Sequence, residues 1–205
     1  MKKLIILTMF ILVVTVVYAD NAVTTTASAY VTGTAFPKIT VKALDDKEIV
    51  LPEAVKDKAA MLMLTFSRPD DNDMASWVKP FALKYMGNTQ TAYYEMALVG
   101  DVGILNGIIY NGMKGGATEE QKAHLVVFFG DKEPYKKFFS VKDDSLIYVC
   151  VLDKQGDIKL FKQGKRATEE DIKEIAEAID LILAPAGENT KTKGFKAKNK
   201  NNKGN

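Results

Sequence analysis

The run AAMLMLTF at 59–66 constrains the fold more than any other stretch. It holds no charged residue, and its alternate positions are apolar on both sides. Such a strand shows apolar side chains to both faces of a sheet, so both faces must be covered. In a single chain that cover comes from helices packed above and below, which makes the chain an α/β protein.

The rest of the sequence supplies the remaining strands and the cover. Strand patterns occur at 39–44 (ITVKAL), 49–51 (IVL), 93–100 (YYEMALVG), 124–130 (HLVVFFG), 146–153 (LIYVCVLD) and 158–164 (IKLFKQG). The last two flank the turn KQGD and form a hairpin. Between the strands, PEAVKDK (52–58) reads as a brief turn of helix, because Pro52 suits a helix start. Helices are expected at 74–86, 102–113, 133–140 and 167–183, with TEEQ (118–121) marking one further helix start. The last helix is the best defined. Thr168 caps it, acids fill its first turn, and Ile172, Ile175, Ile179 and Ile182 line one face. The order βα, βα, βα, hairpin, helix describes one domain with a mixed sheet sandwiched by helices.

The two ends differ from this body. Lys2 and Lys3 precede an apolar run from 4 to 17, and Val17-Tyr18-Ala19 offers small residues at the −3 and −1 positions of a cut after Ala19. The run is shorter than the roughly 20 residues a spanning helix needs. Residues 1–19 therefore read as a cleaved signal peptide, with retention as an N-terminal anchor the alternative. Residues 20–35 read as a linker or edge segment, 36–184 as the domain, and 185–205 as a disordered basic tail. Without Lys2, Lys3 and the six lysines after 185, the body holds 20 basic against 25 acidic residues. A mildly acidic domain gives nucleic acid no electrostatic footing. The tail allows weak contact with a membrane surface.

Several chemistries lack the residues they need. Cys150, the single cysteine, sits in an apolar strand pattern and reads as a small buried hydrophobe. His124 is the single histidine, so neither a His-based acid/base pair nor a zinc site has a second member. Asp70, Asp71 and Asp73 crowd the loop after the 59–66 strand, but an EF-hand would need a Gly and a Glu at fixed later positions. Ser67 has no G-x-S-x-G elbow, and the glycines after 100 do not form a dinucleotide fingerprint. No cofactor or metal is expected.

Two longer stretches carry a resemblance. FPKITVKALDDKEIVLPEAVKDKAAMLMLTF (36–66) and LIYVCVLDKQGDIKLFKQG (146–164) resemble the front and back of a secreted thioredoxin-like domain. In thiol-active relatives the loop after Phe66 carries W-C-x-x-C. Here that pattern falls with Asp71 or Asn72 at the first cysteine and Met74 or Ala75 at the second. The family's cis-proline position falls near Tyr148. The chain also resembles the mitochondrial ATP synthase assembly factors with a cysteine-free thioredoxin-like domain. The matching stretches are SWVKPF (76–81), IYVCVLDKQGDIKL (147–160) and GKRATEED (164–171).

These resemblances imply a thioredoxin-like fold and a redox-inactive, non-enzymatic protein of the cell envelope that acts as a protein-binding or complex-assembly module. The alternative is a thiol oxidoreductase or peroxidase-like enzyme of the periplasm. Loops at strand ends are where binding residues concentrate, so Arg68, Asp70, Asp71 and Trp77 are the candidate partner-binding residues. Arg68 offers a planar donor fork, the two acids offer complementary charge, and Trp77 offers an aromatic anchor if its ring reaches the surface. The expected partner is a protein of an envelope or membrane complex, and the expected location is periplasmic or secreted.

Overall fold

Residues 59–65 form a strand buried along its whole length, as the apolar run requires. This computed structural model describes residues 31–185. The signal peptide, most of the 20–35 segment and the tail after 185 lie outside the described residues. The seven strands are β1 (Ile39–Ala43), β2 (Glu48–Leu51), β3 (Ala59–Thr65), β4 (Thr91–Leu98), β5 (Leu125–Phe128), β6 (Ile147–Leu152) and β7 (Ile158–Gly164). They form one sheet in the order β2-β1-β5-β4-β3-β6-β7. β3, β4 and β5 run parallel, and β1, β2, β6 and β7 complete the edges through antiparallel pairs.

Five helices cover the sheet: α1 (Asp71–Tyr85), α2 (Leu105–Gly116), α3 (Glu119–Lys122), α4 (Glu133–Phe138) and α5 (Glu169–Leu183). A 3₁₀ turn at Glu53–Val55 replaces the brief helix expected after Pro52. The central strands β3 and β6 feed their two faces into different cores. Leu62, Leu64, Met96, Tyr148 and Cys150 point to one face, against Phe139 and Phe161. Met61, Met63, Val149 and Val151 point to the other, against Trp77 and Phe81 of α1 and Ile175 and Ile179 of α5. Each large apolar side chain sealed this way contributes roughly 1.5–3 kcal/mol.

α1 begins at Asp71, three residues before the expected start, because Asp70 caps it by accepting a 2.8 Å bond from Asn72 N. α5 starts with a full capping box between Thr168 and Asp171. In the β6–β7 turn, the Asp153 carboxylate accepts from Gln155 N and Asp157 N and pairs with Lys159 at 2.8 Å. Gly156 occupies that turn at φ +90°, and a Cβ there would lie 2.9 Å from Pro52 Cβ, so both backbone and space demand glycine. Just before β1, Gly33 N donates to Ile158 O and Ile158 N to Thr34 O, which lays this segment along the outer edge of β7. Among the described residues no helix is long and apolar enough to cross a membrane.

Candidate functional site

The parallel strands β3, β4 and β5 all end at one edge of the sheet, and the loop from Phe66 to Asp70 turns there into α1. Three separate segments hold this loop. Ser67 Oγ donates to Asp144 O at 2.7 Å, and Lys132 Nζ donates to Phe66 O at 3.2 Å. The Phe66 ring stands edge-on to Tyr148 with centroids 5.7 Å apart. Asp144 is itself fixed by Lys136 at 2.8 Å. That bond raises the Lys136 pKa, chiefly through its hydrogen bond to the Asp144 carboxylate.

On this frame Arg68, Asp70 and Asp71 are all exposed. Asp70 spends its carboxylate on the helix cap. Arg68 and Asp71 have no ion pair or hydrogen bond to another described side chain. Asp73, one turn on, lies 3.7 Å from Arg166 Nε, in the segment between β7 and α5. The acids of this loop are thus divided between capping, pairing and open solvent. Among the described residues no group of three His, Cys, Asp or Glu side chains converges as a metal site.

Trp77 is different. It is 0% exposed, packed between α1, α5 and the sheet, with Nε1 3.4 Å from Lys165 O. Its ring does not reach the surface, so it is a core residue and not an anchor for a partner. The spacing of Trp77, Phe81 and Tyr85 down one side of α1 explains this, since all three enter the same core.

Cys150 is also 0% exposed. It lies opposite Leu62 in β3 and Phe161 in β7, while the sheet edge is marked by the pairing of Thr65 with Ile147. Three residues along a strand place the thiol about 10 Å below the loop. Burial drives its pKa well above the usual thiol range. His124 stacks on Tyr93 with centroids 4.1 Å apart, and its Nδ1 lies 3.2 Å from Tyr93 O. It takes no part in the loop.

Lys132, Asp144 and Arg166 belong to the loop's frame but carry no signal in sequence. They come from three different segments, and only the fold brings them to one end of the sheet.

No protein-family model matches the chain, and no curated protein is significantly similar to it. Solved structures do match. A candidate protein disulfide isomerase from Bacteroides thetaiotaomicron aligns at 18% identity and TM-score 0.53, over 75% of this chain and 91% of that one. The thioredoxin domain of a thiol-disulfide oxidoreductase from Bacteroides vulgatus aligns at 13% identity and TM-score 0.51, over 74% and 97%.

The fold is thioredoxin-like.

A member of the Sco family of cytochrome c oxidase assembly proteins, one with a disulfide switch, aligns at 12% identity and TM-score 0.51, over 73% and 95%. At such identities the likeness is one of fold. It nevertheless corrects the functional expectation drawn from sequence. The similar structures described here are thiol-disulfide oxidoreductases and a Sco protein. They favour the alternative, a thiol oxidoreductase-type role, over a redox-inactive assembly module. The physical source of the error is plain. The missing cysteines of the loop after Phe66 were read as the loss of the whole function.

Proposed function

We propose that this protein has a thiol oxidoreductase-type role in the cell envelope, in which a partner protein docks on the loop between β3 and α1. The observation that carries the reading is the loop itself. On a fold shared with thiol-disulfide oxidoreductases, it is held from three sides and turns Arg68 and Asp71, both unpaired, toward solvent. A rigid frame with unpaired charges is pre-organised for a partner, because little ordering entropy is lost on docking. Arg68 would donate to a carboxylate or a run of backbone carbonyls, and Asp71 would accept from a basic or amide group.

The sulfur needs its own account. Disulfide exchange requires a thiolate that attacks a disulfide sulfur, and the displaced sulfur leaves as a thiolate. Cys150 is sealed and held neutral, so in the folded sheet the exchanging sulfurs belong to the docked partner. A second reading assigns the step to Cys150 in an opened state. It draws on the register shift between Val151 and Leu152, next to Cys150 in the pairing with edge strand β7.

In this reading the leader is cut after Ala19 and the protein works in the periplasm or outside the cell. The test is thiol trapping of envelope proteins in cells that carry variants. Arg68→Ala with Asp71→Ala is expected to shift partners' thiol states as deletion of the chain does, while Cys150→Ser leaves them unchanged. If a folded Cys150→Ser protein reproduces the deletion instead, the second reading holds. If deletion itself leaves every thiol state unchanged, the thiol reading falls.

A further inference from the structure

One face of strand β4 carries two cores that do not join. Its odd-numbered residues share that face. Tyr93 belongs to the core under α1, with its ring centroid 5.5 Å from that of Phe81. Ala97 and Val99 belong to the core under α2, with Tyr110, Met113 and Leu125. Glu95 stands between them, half-buried and in neither. Its neighbours across the sheet divide the same way, Met63 of β3 in the first core and Leu125 of β5 in the second. Glu95 therefore lies on a seam between α1 and α2, and among the described residues no hydrogen bond or ion pair joins these two helices.

Helix α2 is held from its other side. Tyr110 donates to Ala43 O, Lys42 sits 4.5 Å over the Tyr110 ring, and Lys114 pairs with Asp46. These anchors lie in β1 and the turn after it, beyond β5 from the seam. Glycines bracket the helix. Gly100 and Gly103 precede it at φ +87° and +63°, and Gly115 and Gly116 end it. Glycines at such places absorb the backbone rotation of a hinge.

No lysine or arginine among the described residues meets the Glu95 carboxyl. Its titratable neighbours on β4 and just before β5 are Tyr93 and His124, stacked on each other at 4.1 Å. From α3 comes Glu120, whose charge reaches Tyr93, while Lys122 pairs with Glu119. The titratable groups of α1 and α2 are engaged elsewhere. Asp73 faces Arg166, Lys84 and Tyr85 bind Asp180, and Lys114 binds Asp46, with Asp71 and Lys79 exposed. The carboxyl is thus neutral while the seam is shut, and burial raises its pKa from 4.5 to about 7.

We infer that α2 is a pH-operated flap, closed on β4 while Glu95 is protonated and turned outward about its β1 side when Glu95 ionises. Opening bares Ala97, Val99 and Leu125 and brings the carboxylate to water. The open form releases a proton that the closed form keeps, so opening gains up to about ten-fold per pH unit between 4.5 and 7 and nothing further above. Turned out, a helix of 12 residues with four glycines loses the packing that sustains its hydrogen bonds.

Amide hydrogen exchange between pH 5 and pH 7 tests this, with each rate divided by the unstructured-chain rate at the same pH. Residues 105–116 should be at least ten-fold less protected than α5 at both pH values, the mark of an opening separate from global unfolding. Their protection should fall about ten-fold or more from pH 5 to pH 7, and Glu95→Gln should abolish that fall. Protection of α2 equal to that of α5 overturns the proposal, because no separate flap then exists. So does a less protected α2 whose exchange ignores pH. A fall that survives Glu95→Gln, or one lost in His124→Gln, assigns the titration to another group and overturns it as well.

Discussion

Glu95 sits in the middle of β4, between Met63 of β3 and Leu125 of β5, where the sheet is covered. No cation and no hydrogen-bond donor among the described residues meets its carboxyl. Burial alone pushes its pKa up from 4.5 to about 7. Between those two values the folded protein keeps a proton that the unfolded chain has released. The contribution of Glu95 to stability is therefore whole below pH 4.5, falls as pH rises through 7, and is constant above that. At about 1.4 kcal/mol per pKa unit the full fall would be roughly 3 kcal/mol. Partial solvent access reduces it to about 2–3 kcal/mol.

Glu95→Gln keeps the size of the side chain and removes the charge, so the variant does not take this fall. Urea unfolding at pH 4 and pH 8 is the measurement. The two proteins should agree at pH 4, and the variant should be about 2–3 kcal/mol more stable at pH 8. For a domain of this size that corresponds to about 5–10 °C in Tm. Other titrating groups shift both proteins alike, so the difference between the two curves isolates Glu95. A gap of the same size at both pH values would refute the argument, as would a wild type more stable than the variant at pH 8.

Three further outcomes follow from named contacts. Asp70→Ala removes the cap of α1 and should cost about 1 kcal/mol of stability in thermal or urea unfolding. Arg68→Ala with Asp71→Ala removes no ion pair or side-chain hydrogen bond among the described residues, so its stability should stay within about 0.5 kcal/mol of wild type; a larger loss would show that this loop is part of the scaffold. Cys150 should resist a thiol reagent in the native protein and react fully in denaturant, and rapid native labelling would point to an open state of the β6–β7 edge.

Much of the fold was legible in sequence because its strands obey local rules. The continuous apolar run at 59–66 requires a doubly covered strand, and KQGD between two apolar stretches requires a hairpin. The error at the start of α1 has the same local origin. Asp70, Asp71 and Asp73 all favour a helix N-terminus, and sequence alone does not say which of them caps it. Capping depends on backbone angles one residue apart, which only the folded chain fixes. The α2 boundary moved for a similar reason. VGILNGIIYNGM has helical spacing, but its three glycines blur the ends, and tertiary contacts through Tyr110 set where the helix lies.

The candidate site was legible only as far as its chemistry is local. Arg68 stands in the β3–α1 loop and Asp71 opens α1, and a strand running into a helix marks that junction as exposed. Trp77 is an aromatic nearly two turns into α1, and its side is set by α5, which begins about ninety residues later. Ile175 and Ile179 of α5 require an apolar partner, and Trp77 is what α1 turns toward them; its exposure was never its own property. The same logic applies to Lys132 and Asp144. Each is an ordinary surface charge in sequence, and each becomes a strut of the loop because β5 ends and β6 begins at the sheet edge where β3 ends. Functional residues in this fold are therefore selected by which strand ends meet. That is also why the docking surface we propose is a loop without cysteine on a thioredoxin-like frame.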